Sequence, residues 1–373
     1  MRKILEFLFL SVAIIASSCN RDEVITASLP PKIIVEDSGN YRVQVGDEIR
    51  IAPRYENVDG ATFSWTIESV EVATTRAYVY MSESVGVVEI TLTVIGESGV
   101  DSYTFEVESV EPFKVYDYTP APGQFINDLK MAGFKDTETS MAAAIKYAER
   151  RILNNQFVSL GAFGGYIVLG LEHSITNDEA NDFAILGNAI ENGSEPGIVW
   201  VMQDENANGL PDDTWYELAG SESGSGSTIQ NYAVTYYRPS GEAMGVEWSD
   251  NLGQSGVVEY LEDYHSQPSY YPQWIDADSY TLQGTRLEAR GYDKNGDGAL
   301  WVLPAIGWGY VDNLSEVDFS GGENHFDISN AVDSNGVHKE LSYIDFVKVQ
   351  SAVQQQCGWV GELSTEVRGI REL

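Results

Sequence analysis

The sequence predicts a mainly β protein: two β-sandwiches in series, the second larger, of jelly-roll type, and braced by a single helix. Three observations lead there. Short runs rich in Val, Ile, Thr, Tyr and Phe recur along most of the chain, separated by Gly-, Asn- and Asp-containing turn signals. Only one stretch carries a convincing helical period. No helical segments alternate with the strands, which argues against a doubly wound parallel sheet.

The chain begins MRKILEFLFLSVAIIASSCN. Arg2 and Lys3 form a basic start, and a mostly apolar stretch runs from Ile4 to Ala16. That is the layout of a secretory signal, too short for a spanning helix. Residues 1–18 are therefore read as a signal peptide. Ala16-Ser17-Ser18-Cys19 resembles the lipobox of bacterial lipoproteins, in which cleavage leaves the Cys as an acylated N-terminus, so Cys19 is the expected lipidation site. Asn20-Arg21-Asp22-Glu23 resembles the acidic export tag of Bacteroidetes surface lipoproteins. The implied location is the outer membrane, held by lipid and exposed at the cell surface, with the membrane met only through that anchor. Residues 19–31 form the tether, ending in Pro30-Pro31.

From residue 32 to 111 seven β-type runs follow: KIIVE, YRVQV, EIRIA, ATFSW, RAYVYM, VVEITLTV and DSYTFEVESV. Seven short strands in about 80 residues is the count of an immunoglobulin-like sandwich. Trp65 is its expected core aromatic. The stretch resembles PKD-type modules, which implies a spacer. Glu111-Pro112 is the expected hinge, and residues 112–373 form the second sandwich, expected to carry the ligand site. It opens with the Pro-rich VYDYTPAPGQF. The one helix follows, over SMAAAIKYAERRIL, with Thr139 as its N-cap and Arg150 and Arg151 in its last turn, where the helix dipole favours cations. Strands are expected at FVSLGAFGGYIVLGL, DFAILGNAI, GIVWVMQ, TWYELAG, YAVTYYR, LEARGY, ALWVLPAI and SYIDFVKVQ.

Charge and composition bound the function. Against 57 Asp plus Glu stand 22 Lys plus Arg, a net charge of −35, which repels the phosphate backbone and excludes nucleic acid as a partner. A hydrophobic fraction of 43% excludes a disordered acidic chain. With Cys19 acylated, only Cys357 remains, so neither an intrachain disulfide nor a Cys/His zinc site is available. No nucleophile elbow, metalloprotease helix or phosphate loop is present, so no catalytic residue is expected. The four His are scattered, and among 57 acids any carboxylate pair can be picked.

Two segments have calcium-loop spacing. In the run from Asp204 to Asp213, oxygen side chains stand at Asp204, Asn206, Asn208 and Asp212, and Leu210 offers its carbonyl. Hard Ca²⁺ takes six or more oxygens, and this spacing points alternate side chains at one centre. Trp215 stands where an EF-hand has its bidentate acid, so the loop is of the inter-strand kind. Asp293, Asn295 and Asp297 repeat the first half of the pattern. The alternative for both is a polar turn without metal. A bound Ca²⁺ is expected to be structural.

Seven of the eight Trp lie in the second domain. The Pro-broken run from Tyr260 to Trp274 reads as a long loop in which Tyr264, Tyr270, Tyr271 and Trp274 stack on a flat ligand or sugar, with Gln267 and Gln273 supplying hydrogen bonds; the alternative is a mini-core. Trp308 and Tyr310, in a Gly-Trp-Gly-Tyr run, are a second aromatic candidate.

VSLGAFGGYIVLGLEHSI, NDFAILGNA, SEPGIVWVMQDENANGLPDDTWYELAGSE, YAVTYYRP, SYYPQWI, ARGYDKNGDGALW, IDFVKVQ and GELSTEVRGIREL together resemble a family of Bacteroidetes cell-surface lipoproteins that carry a PKD-like module ahead of a β-sandwich. The resemblance covers roughly residues 115–373 and implies capture of a corrinoid such as cobalamin for a TonB-dependent outer-membrane transporter. It transfers the calcium-loop positions Asp204, Asn206, Asn208 and Asp212, and no ligand contact. A calcium-dependent glycan-binding or glycan-degrading lipoprotein is the alternative, since exposed Trp on such sandwiches suits sugars. A purely structural or adhesive surface protein is the third reading.

Overall fold

The computed structural model describes residues 29–35, 39–110 and 113–373. The signal segment, Cys19 and the hinge at Glu111-Pro112 lie outside them. The described chain divides into two compact units. The first runs to Glu108 apart from two short stretches, Gln44–Gly46 and Ser82–Val85; the second takes those stretches and Ser109–Leu373. No helix among the described residues is long and apolar enough to cross a membrane.

In the first unit a five-stranded sheet runs in the order Asn40–Gln44, Gly99–Val110, Gly86–Gly96, Thr62–Ile67, Val70–Ala73. Two strand pairs accompany it: Lys32–Ile34 with Arg54–Glu56, and Glu48–Ile51 with Tyr78–Met81. The long strands alternate buried and exposed residues, as a sheet with one solvated face must. Trp65 is fully buried, stacked between Phe105 at 5.7 Å and Tyr78 at 5.8 Å, and its Nε1 donates to Thr75 O at 2.7 Å. All seven expected runs form strands. Two strands went unforeseen, Arg54–Glu56 and Val70–Ala73. The second follows a tight turn at Glu68 and Ser69, both at positive φ, so no Gly or Asn announced the hairpin.

The second unit is a β-sandwich. Its principal sheet has six antiparallel strands in the order Lys114–Thr119, Tyr166–Thr176, Tyr343–Ser351, Gly197–Met202, Tyr216–Leu218, Ala331–Val332. A four-stranded sheet of Phe319–Ser320, Glu323–Phe326, Phe183–Leu186 and Gly369–Glu372 shares a core with it, in which Phe183 and Ile185 meet Val199, Val201, Ile344 and Val347. A third sheet, in the order Ser255–Val258, Val246–Asp250, Ile229–Tyr237, Ser279–Arg286, packs on a separate core built from Phe163, Tyr232, Tyr236, Tyr270 and Tyr271.

The helix spans Met141–Leu153 and buries Ala144, Tyr147, Ala148 and Ile152 against the principal core. Its cap is Ser140, one residue after the expected Thr139: Ala143 N donates to Ser140 Oγ at 3.3 Å. Arg151 does more than meet the dipole. It is buried, its Nε donates to Phe157 O at 2.9 Å, and its guanidinium lies over the Phe157 ring. The strand expected at LEARGY is displaced. The ladder is formed by Ser279–Arg286 instead, and only Tyr292 of the expected run is in a strand. Gly284 disguised it, because a Gly breaks the β pattern, and here it is needed: a Cβ would lie 2.0 Å from Gln350 Oε1.

Candidate functional site

The Asp204 loop leaves the strand Gly197–Met202 and returns in Tyr216–Leu218. Asp204 Oδ2 accepts from Gly209 N at 2.8 Å and its Oδ1 from Asn208 N at 3.2 Å. Asn206 Nδ2 and Asn208 Nδ2 both reach the Asp212 carboxylate, at 3.2 and 3.1 Å. Asn206 Oδ1 in turn accepts from Asn208 N at 3.0 Å and Asn208 Oδ1 from Leu210 N at 2.8 Å, with Ala207 and Gly209 at positive φ closing the loop. Two carboxylates and two amides in one loop are oxygen donors of the kind that Ca²⁺ takes. Trp215, in place of the usual acid, faces Lys348 Nζ at 5.3 Å from its ring centre.

The second loop is built differently. Asp293 accepts from Asn295 N at 3.2 Å and Gly298 N at 2.6 Å, and Asp297 from Ala299 N at 3.0 Å. These backbone amides, Gly298 foremost, hold Asp293 below the usual carboxylate range. The loop caps the hairpin Tyr292–Asp293 with Trp301–Val302, and each of these acids serves its own turn.

A cleft of about 510 Å³ opens beside the Asp204 loop, lined in part by Lys114, Tyr116, Glu172, Asp204, Tyr343 and Asp345. Its shape comes from an irregularity: the pairing of Tyr166–Thr176 with Tyr343–Ser351 shifts register between Gly170 and Ile175. Gly170 is required here, because a Cβ would sit 2.4 Å from the Tyr116 ring. Tyr116 packs edge-on against Phe346 and its hydroxyl donates to Gly209 O at 2.7 Å, tying the strand to the loop. Asp345 ties the other side, accepting from Ser174 Oγ at 2.5 Å and Asp204 N at 2.7 Å. Sequence reasoning missed Tyr116, Tyr343 and Asp345, because a register shift leaves no mark in a strand pattern.

The aromatic candidates separate. Tyr270, Tyr271, Trp274 and Tyr310 are core residues, which corrects the expectation of a ligand-facing set. Tyr270 OH donates to His265 O at 2.9 Å, and Tyr271 OH to Ala277 O at 2.7 Å. Trp274 stacks on Tyr118 and Phe134. Tyr310 OH accepts from Glu222 N at 2.9 Å. For Tyr270, Tyr271 and Trp274 the cause is Gln267, which is buried and donates to Gln124 O and Ile126 O, pulling the loop onto the body of the domain. Tyr264 remains 60% exposed and Trp308 36% exposed. Tyr264 is joined by Trp359, 45% exposed, with ring centres 6.2 Å apart, beside a hollow of about 230 Å³ that Leu129, Met131 and His265 help line.

A different group of charges lies inside the domain. One carboxylate oxygen each of Glu195, Asp312 and Glu366 lies within 4.8 Å of the others. Asp312 accepts from Asn188 N at 2.8 Å and Glu366 N at 2.9 Å, and Ser364 Oγ donates to Glu366 at 2.9 Å. Among the described residues none of the three makes an ion pair with Lys, Arg or His. Burial pushes Asp312 up to about 7, and burial with mutual repulsion pushes Glu195 and Glu366 well above the carboxylate range. Buried Glu362 is pushed up to about 8 by the same loss of solvent.

Residues 30–96 match the family of PKD-like domains. No curated protein matches the chain. Among solved structures, similar chains include carbohydrate-binding modules of the β-sandwich superfamily, at 11% identity and a TM-score of 0.22, covering 93% of this chain and 99% of that one. A quinoprotein alcohol dehydrogenase-like protein of Bacteroides thetaiotaomicron is 12% identical, with a TM-score of 0.21 and 83% of each chain covered. A SusE-like protein is 6% identical, with a TM-score of 0.19, covering 92% of this chain and 95% of that one. At such TM-scores these likenesses carry no argument, and the fold rests on the strand pairings themselves.

Proposed function

We propose that the chain is a lipid-anchored surface protein whose second domain binds a glycan in the cleft beside the Asp204 loop, the first domain acting as a spacer. The cleft is the observation that carries this reading. It sets the aromatic rings of Tyr116 and Tyr343 beside the carboxylates of Asp204, Glu172 and Asp345. Sugars are recognised by that combination, an apolar ring face on an aromatic and hydroxyls on charged acceptors. Its volume lies in the lower half of the range for small-molecule sites. No catalytic role is assigned to these carboxylates.

The corrinoid reading, with a TonB-dependent transporter as partner, stands second. It is supported by the sequence resemblance over residues 115–373 and by the exposed aromatic pair of Tyr264 and Trp359, whose rings are inclined at 34° to one another. A glycan array on the full chain, followed by titration calorimetry with the hits and with cyanocobalamin, separates the two. Tyr343→Ala is expected to weaken glycan binding about tenfold. Heat with cyanocobalamin and none with any sugar would transfer the function to the second reading. Chromatography of the sugar after incubation reports any hydrolysis.

The same reading gives the Asp204 loop a bound Ca²⁺ that fixes one wall of the cleft. The second domain is expected to melt several degrees higher with Ca²⁺ than with chelator, a difference that Asp212→Ala removes. Equal melting temperatures would leave the loop as a metal-free turn.

A further inference from the structure

Thr285 lies in the third sheet, beside the Gly284 that abuts Gln350 of the principal sheet. It is 2% exposed, and its Oγ1 stands 2.5 Å from Glu217 Oε2, a carboxylate of the principal-sheet strand Tyr216–Leu218. Glu217 is itself only 6% exposed. The same Oγ1 stands 2.8 Å from Gln230 Oε1. Gln230 belongs to the strand Ile229–Tyr237, the neighbour of Ser279–Arg286. The register of that pair shifts between Ile229 and Tyr232, with Asn231 at φ +54°. Such a bulge re-aims a side chain, and here the Gln230 amide is brought onto the Thr285 hydroxyl.

A hydroxyl has one hydrogen, and this one faces two acceptors. Donated to the Glu217 carboxylate, it leaves an oxygen lone pair beside the Gln230 amide. That is a nucleophile set between a base and an acyl group. Burial raises Glu217 above the usual carboxylate range and so strengthens it as a base, while its bonds with Thr285 and Gln230 act the other way. Groups held together by a fold react as though at very high concentration, which lets a hydroxyl and an amide combine that are inert when free. We propose that Thr285 and Gln230 form an intramolecular ester cross-link, with Glu217 moving the proton. In the first step Oγ1 shifts from the amide oxygen to the adjacent Cδ and bonds it, while the hydroxyl proton passes to Glu217. In the second the Cδ–Nε2 bond breaks, Glu217 returns the proton to that nitrogen, and ammonia leaves. One alcohol and one amide give one ester and one ammonia, with no change of oxidation state and no co-reactant. Gln230 is exposed, so the ammonia has a way out. The cross-link ties two neighbouring strands across their bulge and does not depend on which ligand the cleft takes.

Mass spectrometry of the full chain tests this. The wild type is expected about 17 Da lighter than its composition requires, the mass of the ammonia released. Chymotryptic digestion should give the segments around Gln230 and Thr285 as one joined species, which hydroxylamine separates by cleaving the ester. Gln230→Ala, at an exposed position, and Thr285→Val should both show the unmodified mass. Thr285→Ser keeps the hydroxyl and should keep the cross-link. Glu217→Gln still offers Thr285 a hydrogen-bond partner and should slow cross-linking about a hundredfold or more, read as the modified fraction over time. A wild type at unmodified mass, in fresh and in aged protein alike, overturns the proposal and leaves a hydrogen-bonded triad. So does a mass loss that survives in Thr285→Val, or one that maps to an Asn-Gly pair such as Asn295-Gly296, where succinimide formation releases the same ammonia. Cross-linking undiminished in Glu217→Gln overturns the role given to Glu217.

Discussion

The second domain should melt at a lower temperature at pH 8 than at pH 6.5, and Glu366→Gln should remove much of that fall. Folding holds Asp312 up at about 7, Glu362 at about 8, and Glu195 and Glu366 higher still, chiefly through burial. In the unfolded chain these groups ionise in the ordinary carboxylate range. A carboxyl raised in the folded state contributes stability that is complete at low pH and is lost as pH rises through the folded value. Between pH 6.5 and 8 these acids dominate, Lys348 beginning to offset them only as pH nears 8. Burial lowers His265 from 6.5, so its own contribution is lost on acidification, below that range. Lys348, lowered by burial to about 8, acts above it, where stability is regained. Each tenfold change in proton affinity between the folded and unfolded chain is worth about 1.4 kcal/mol, so several coupled groups give a fall on the order of 10 °C. Gln at 366 cannot ionise, keeps an oxygen for Ser364 Oγ, and offers an amide to its acidic neighbours. Calorimetry at the two pH values and between them checks this. A flat profile in the wild type would mean the carboxyls are already ionised against a bound cation.

Gly165→Ala should be the most damaging small substitution in the second domain, costing more than about 3 kcal/mol and leaving little folded material. A Cβ at 165 would lie 1.8 Å from Leu160 O and 2.3 Å from Ala121 N. Both are backbone atoms, and Ala121 N already donates to Leu160 O at 3.0 Å, so neither can give way. The same crossing strains position 161, where a Cβ would meet Ala121 O at 2.1 Å and φ is +69°. Gly226→Ala is the control: no atom lies within 4 Å of its Cβ position, and its effect should stay within about 0.5 kcal/mol. Urea unfolding compares the two. A Gly165→Ala protein as stable as the wild type would show that the crossing has slack.

Local pattern carried much of the fold. Trp65, the helix and most of the strands were legible because each depends on alternation or on a cap within its own segment. The Asp204 segment was legible as a polar loop for the same reason, since its hydrogen bonds close within one short stretch. What failed was everything set by distant parts of the chain. Tyr270, Tyr271 and Trp274 look like a presented aromatic loop until Gln267 is seen bonding the backbone of Gln124 and Ile126. Tyr310 looks exposed beside Gly309 until Gly220 is seen to make room for its ring. The carboxyl group formed by residues 195, 312 and 366 was invisible in a chain with 57 acids, because only the fold chooses which three meet.

The end of the chain is woven into the middle of the second domain. Tyr343–Ser351 lies between Tyr166–Thr176 and Gly197–Met202, Glu366–Val367 pairs with Val158–Ser159, and Gly369–Glu372 pairs with Phe183–Leu186. Strands made early must therefore wait, unpaired on one side, until residues 343–372 have been synthesised. Deleting Tyr343–Ser351 would then act on the assembly of the whole domain rather than on one strand.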